Sequence, residues 1–327
     1  MFNREKELML LGLEPDKKSY KGVMLFLLVY LGATLFAALL TSPSYWFVQW
    51  LHSVHPSGLT EYLLGKRLDI YFNRLRYLPI LIGIPYMMNK LGLFSVSNLG
   101  LKFERESLKI FCKYFLFGVL LAGFVFAFQF IFCDVSYSHK SAGKVLSVLF
   151  SAALSAVVVG ILEEVVFRSL IFRSFYTAFT PVAALLFTSL FFAYKHFKVP
   201  SRVFKSLNGD TGFDVGFLVA YYDSVGIFET FSAIIFISLT VFGAMLTLVY
   251  MRTKNLWASV AAHSGIVFMM LSYKKLFRIA RDDNLVWIFG TNRMTDGIIP
   301  IFIMLGFVVM FLSFSNPKKR NKTECEK

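Results

Sequence analysis

The chain has 327 residues, 57% of them hydrophobic and only 17% charged, with a mean hydropathy of +0.63. A soluble domain is about a quarter charged and at most about half apolar, so a cytosolic enzyme and a disordered chain are both excluded. The 34 Lys and Arg against 20 Asp and Glu leave a net charge of +14, but the basic residues crowd the ends of apolar runs, which points to anionic lipid headgroups and excludes nucleic acid.

A helix needs about 20 apolar residues to cross a bilayer core. In chain order, a basic segment with Arg4, Lys6, Lys17, Lys18 and Lys21 precedes the first predicted span, Val23 to Leu40. The next spans are Tyr77 to Leu93, interrupted by Pro79, Pro85 and Lys90, then Phe111 to Cys133 and Val145 to Phe172. Pro181 to Phe197, Gly226 to Met251, Asn255 to Tyr273 and Gly297 to Phe314 complete the set. The stretches Thr41 to Arg76 and Lys198 to Val225 read as interfacial loops. A basic tail with Lys318, Lys319, Arg320, Lys322 and Lys327 closes the chain. Basic segments at both ends predict two cytoplasmic termini, hence an even number of spans.

The expected fold is therefore all-α, a polytopic transmembrane helical bundle of about eight spans, in the cell membrane. Its expected parts are a basic cytoplasmic segment (1–22), three spans with loops (23–144), a core of spans four to seven (145–273), and an interfacial loop with the last span and basic tail (274–327). Cys112, Cys133 and Cys325 lie far apart and form neither a disulfide framework nor a thiol-rich metal module.

The fourth span contains adjacent acids, Glu163 and Glu164, followed by Arg168. A charged group at bilayer depth costs at least about 2.5–3.5 kcal/mol on insertion scales, so such residues face a protein interior or a wet cavity and serve a function. Four residues apart on a helix, Glu164 and Arg168 share a face and can pair, whereas Glu163 is turned by about 100°. One acid is neutralised and its neighbour is left as a candidate general base. The bland alternative is a packing ion pair at the headgroup boundary.

Two of the five histidines sit in other spans, His196 in Phe192-Ala193-Tyr194-Lys195-His196 and His263 in Ala261-Ala262-His263-Ser264-Gly265. Singly, each reads as a hydrogen-bonded packing residue or, for His196 beside Lys195 and Lys198, as an interfacial one. Together, two imidazoles and a carboxylate suit either of two hydrolytic sites. In one, Glu163, His196 and His263 hold a zinc ion whose fourth position activates water. In the other, metal-free, Glu163 deprotonates the water and the histidines orient it and stabilise the oxyanion.

The spacing Glu163-Glu164-x-x-x-Arg168, then Phe192-x-x-x-His196, then His263, resembles the CPBP (CAAX protease and bacteriocin-processing) family of intramembrane proteases, also called Abi. The resemblance covers about Val145 to Tyr273. It implies an endopeptidase acting on a membrane-associated or prenylated, CAAX-like protein or peptide, with membrane lipids as its other partner. It further implies that Glu163 activates water with His196, that Glu164 and Arg168 hold the local geometry, and that His263 serves the oxyanion. Both metal-dependent and metal-free mechanisms have been ascribed to the family. No thiolate or third imidazole lies near the site, so no tightly bound metal is expected, with Zn2+ as the alternative.

The family's third motif continues His-x-x-x-Asn, where this chain has Val267. Valine cannot donate to an oxyanion, and Ser264 is the neighbouring hydroxyl that offers a substitute. The departure leaves a scaffold or bacteriocin-immunity protein with decayed chemistry as the rival from another class. A proton or solute transporter is a third reading, weakened by the absence of an internal repeat. Substrate identity and oligomeric state have no signature in the sequence.

Overall fold

The computed structural model describes residues 20–90, 104–197, 212–279 and 285–313. The predicted basic end segments lie outside them, apart from Lys21, as does most of the loop after Phe197. In chain order the elements are α1 (Lys21–Val54), α2 (Gly58–Leu64), α3 (Leu68–Lys90), α4 (Arg105–Phe132), β1 (Val135–Tyr137), α5 (Ala142–Glu164), a π-helical stretch (Val165–Phe172), α6 (Arg173–Ala178), α7 (Pro181–His196), α8 (Val215–Thr230), α9 (Ala233–Thr253), α10 (Leu256–Leu276), β2 (Phe277–Ile279), α11 (Val286–Phe289) and α12 (Ile298–Ser313). The protein is an all-α membrane helix bundle; its strands β1 and β2 are three residues each and pair antiparallel, Ser136 opposite Arg278.

Among the described residues, five helical stretches are long and apolar enough to cross a membrane: α1, α4, the continuous run Ala142–Ala178, α9 and α10. The expected eight are thus not matched one for one. α3 is too polar to qualify, and α7 and α12 have 16 residues each, shorter than the roughly 20 a bilayer core takes.

The described residues fall into two compact units. The first comprises residues 104–193, 232–279 and 285–313. Its axis is α10, which packs on α4, α5 and α9, while α12 packs on α9. Close approach is possible because α10 buries a run of small residues, Ala258, Ser259, Ala261, Ala262, Ser264 and Gly265. Between helices in lipid, such van der Waals contact supplies the adhesion that apolar burial supplies in water. Gly118 of α4 and Gly265 of α10 face each other so tightly that a Cβ on Gly265 would collide with the Phe115 carbonyl, and one on Gly118 with that of Ala262. One end of the same helix pair is closed by Phe126 and Tyr273, whose rings stack 4.1 Å apart at 1°.

α9 and α10 are joined by a minimal link. Lys254 takes a left-handed conformation (φ 53°) that ends α9, and the Asn255 side chain accepts from the Trp257 N–H at 2.8 Å to start α10. The predicted sixth span therefore begins at Ala233 and not at Gly226, because the chain breaks at Phe231 and Ser232, whose hydroxyl caps the Ile235 N–H. Lys274 and Lys275, expected in a loop, form the last turn of α10.

The second unit comprises residues 20–90, 194–197 and 212–231, with α3 and α8 both packed on α1. The expected loop from Thr41 to Arg76 is instead helical over most of its length, in α1, α2 and α3. Pro43 lies inside α1 and forfeits one backbone hydrogen bond, but the polar residues before it find partners: Thr41 Oγ1 donates to the Ala37 carbonyl at 2.6 Å, and Ser42 Oγ to that of Gly212 at 2.8 Å. α2 starts at a reciprocal cap between Ser57 and Thr60. Residues 215–225, also expected as loop, belong to α8, and Gly216 sits against the Ala38 carbonyl where a Cβ would not fit.

Candidate active site

Glu163 and Glu164 end α5, and the next eight residues form the π-helical stretch. Its wider turn accompanies unbroken burial from Phe167 to Phe172, with Arg168 fully buried between the rings of Phe167 and Phe192 at 5.9 and 5.3 Å. Single π-helical turns of this kind are concentrated at functional sites.

The two acids have opposite surroundings. Glu164 is fully buried, and its Oε1 accepts from Arg168 Nη1 at 2.7 Å and lies 2.8 Å from His263 Nδ1. Arg168 then uses Nη2 to donate to the Gly243 carbonyl at 3.0 Å, a group that also accepts from Thr247 Oγ1 at 2.9 Å. Glu163, one residue earlier, keeps 30% of its side-chain surface exposed, and its Oε2 stands 3.8 Å from His263 Nε2. The imidazole is thus held through Nδ1 on a buried carboxylate, while its Nε2 faces the Glu163 carboxylate beyond hydrogen-bond distance. Phe242 meets its ring edge-on at 5.3 Å and 90°, and Phe192 at 6.3 Å.

Helix register accounts for this arrangement. Four residues bring Arg168 back over Glu164, one residue turns Glu163 away, and the small-residue face of α10 lets His263 approach α5. At that contact Gly160 lies against Ser264, whose Oγ would collide with any Cβ there. Ser264 is fully buried, and its hydroxyl has no hydrogen-bond partner among the described residues. Val267, one turn beyond His263, is half-buried on α10.

The first unit therefore gathers Glu163, Glu164, Arg168 and His263. His196 is the exposed last residue of α7 and belongs to the second unit. Three participants had no signal in the sequence. Gly243 is a glycine in an otherwise helical run, where α7 comes close enough that a Cβ would sit 3.2 Å from the Ser189 Cα. Thr247 and Phe242 are ordinary helix residues until the fold sets them against Arg168 and His263.

The zinc alternative is testable on the donor set. Among the described residues no three His, Cys, Asp or Glu side chains lie together as a metal ion would require. Of the donors that do gather, Glu164 is already bound to Arg168 and to His263.

A helical unit that buries a Glu–Arg–His network beside a half-exposed glutamate carries charged groups of the kind that mark functional sites in membrane proteins. Comparison with known families agrees: residues 145–269 match the family model described as type II CAAX prenyl endopeptidase Rce1-like, consistent with the CPBP resemblance of the motifs. At family level this supports a CAAX-type membrane protease. No curated protein and no solved structure matches the chain.

Proposed function

We propose that the protein is an intramembrane endopeptidase that cleaves a membrane-associated, prenylated (CAAX-like) protein or peptide, with Glu163 as the base that activates the attacking water. The observation that carries this reading is the division of labour between the adjacent acids: Glu164 is consumed by Arg168 and His263, while Glu163 is half-exposed and points to the same imidazole.

Glu163 takes a proton from water as the oxygen attacks the scissile carbonyl, and returns it to the leaving amine as the tetrahedral intermediate collapses. Glu164 engages Nδ1 of His263, so Nε2 is the nitrogen beside Glu163, and when protonated it donates to the developing oxyanion. Arg168 acts through Glu164 and touches no reacting atom. His196 enters on the resemblance alone, as a partner in activating the water. Val267 favours the rival reading, an immunity or scaffold protein with impaired chemistry, since one oxyanion donor is worth about 2.7–4 kcal/mol of transition-state stabilisation.

The test is cleavage of a farnesylated C-terminal peptide by the purified protein in lipid vesicles. Glu163→Gln removes the base while keeping the side chain's shape, and the rate falls by about 10²–10⁴ with unchanged thermal stability. His263→Ala and His196→Ala each lose most activity. Equal cleavage by wild type and Glu163→Gln refutes the assignment, and no cleavage by wild type favours the rival.

A further inference from the structure

The second unit holds a charged cluster that the reaction just described does not use. Asp223 of α8 lies between two cations: Arg76 of α3, whose Nη1 is 2.5 Å from Asp223 Oδ2, and Lys195 of α7, whose Nζ is 3.2 Å from the same oxygen. Arg76 also donates to Asn73 Oδ1 at 2.7 Å, and Lys195 to Tyr30 Oη at 3.1 Å. Arg76 and Lys195 are the cations acting on Asp223, so among the described residues two positive charges share one carboxylate and one is left over. Arg76 uses two of its five N–H groups and Lys195 two of its three, and the other donors have no acceptor among the described residues.

The surroundings say what kind of anion these donors take. The cations are recessed without being sealed, with 11% of the Arg76 and 18% of the Lys195 side-chain surface exposed, so the excess charge is weakly screened by water yet open to a ligand. The ammonium stands among rings, 5.4 Å from the centroid of Tyr30 and 5.6 Å from that of Tyr194, and the guanidinium lies over Phe72 at 5.1 Å. The approach is apolar. α1, which supplies Tyr30, is one of the helices long and apolar enough to cross a membrane, and Leu27, Leu28 and Leu31 within a turn of Tyr30 are exposed, as are Tyr77 and Leu78, which follow Arg76. A soluble anion would have to leave water and pass that apolar rim, whereas a lipid brings its charge on an acyl chain. Basic pockets between membrane helices take lipid headgroups in this way.

We propose that Arg76 and Lys195, poised on Asp223, form a binding site for an anionic lipid, which they hold by its phosphate. The phosphate oxygens accept from both cations as charge-assisted hydrogen bonds, the acyl chains lie along the apolar rim, and the leftover positive charge is matched. The site lies wholly within the second unit and does not depend on the proposed proteolysis.

The purified protein is titrated in neutral detergent with phosphatidylglycerol and with phosphatidylcholine, whose phosphate is matched by its own choline, and retained lipid is counted by native mass spectrometry. Wild type binds phosphatidylglycerol about 10- to 100-fold more tightly, the gain expected of one or two charge-assisted hydrogen bonds. Lys195→Met and Arg76→Met, each of which leaves a neutral ion pair on Asp223, bind the two lipids alike, and Lys195→Arg restores the preference. Asp223→Asn leaves both cations unmatched and binds phosphatidylglycerol more tightly than wild type does, the opposite of what loss of a purely structural salt bridge gives. A preference that survives in Lys195→Met, or one that weakens in Asp223→Asn, overturns the site. So does an equal loss in Lys144→Met, which removes an exposed cation of the first unit and marks general surface attraction. Inorganic phosphate that binds the lipid-free protein as tightly as phosphatidylglycerol does reassigns the cluster to a soluble anion and equally overturns the proposal.

Discussion

Glu164→Gln separates the two roles of the acid pair. The substitution keeps shape and hydrogen-bonding reach but removes the one negative charge that faces both Arg168 Nη1 at 2.7 Å and His263 Nδ1 at 2.8 Å. Arg168 is fully buried and cannot shed its proton, so it is left with the Gly243 carbonyl at 3.0 Å and the more distant charge of Glu163. Removing one partner of a buried ion pair costs about 3–5 kcal/mol, a large part of the roughly 5–15 kcal/mol that holds a typical domain folded. The variant should therefore unfold at a clearly lower temperature in detergent micelles, and its kcat should fall by about 10- to 100-fold or more, as expected when an imidazole loses its orienting carboxylate. Glu163→Gln, at a side chain 30% exposed, should lose about 10²–10⁴ in rate with little change in melting temperature. Two indistinguishable melting curves, or a Glu164→Gln protein as active as wild type, would refute the reasoning that Glu164 is structural and Glu163 chemical.

Gly265→Leu should lower stability by about 1–3 kcal/mol and reduce activity, because a side chain there meets the Val119 N at 3.0 Å and the Gly118 Cα at 3.1 Å and forces α4 from α10, the helix that carries His263; an unchanged melting temperature would show that the two backbones are not in contact. Val267→Asn, which returns a donor one turn from His263, should raise kcat by up to about 10²–10³, and steady-state kinetics showing no gain would mean that Val267 is not what limits the rate.

Apolar runs were enough to reveal most of the helices, since α4, α5, α9 and α10 are uncharged over nearly a bilayer's thickness. Where polar residues enter a helix, composition misled. Thr41, Ser42 and Pro43 look like the start of a loop, but the two hydroxyls find carbonyls inside the protein and the helix continues to Val54. The reverse holds at Phe231 and Ser232, where an apolar run conceals a break made by a serine cap. In the site, the Glu164–Arg168 pair follows from a four-residue spacing. The Glu164–His263 contact joins residues 99 apart, which no local period encodes; the family pattern alone hinted at it. The Arg76–Asp223–Lys195 cluster was hidden for the same reason, being assembled from three separate helices, two of them in stretches read as loop.

The π-helical stretch has a consequence for how this sequence tolerates change in length. An α-helix advances about 100° per residue, so excising one residue between Val165 and Phe172 would relax the wide turn and rotate everything downstream by that angle against the acids. Phe172 and Tyr176 would swing out of the core they share with Leu248, Tyr250 and Val260, and Arg173 would be carried with them. Substitutions in this stretch are local injuries, whereas a single-codon deletion is a phasing error that uncouples the acid pair from its scaffold while leaving Glu163, Glu164 and His263 in place.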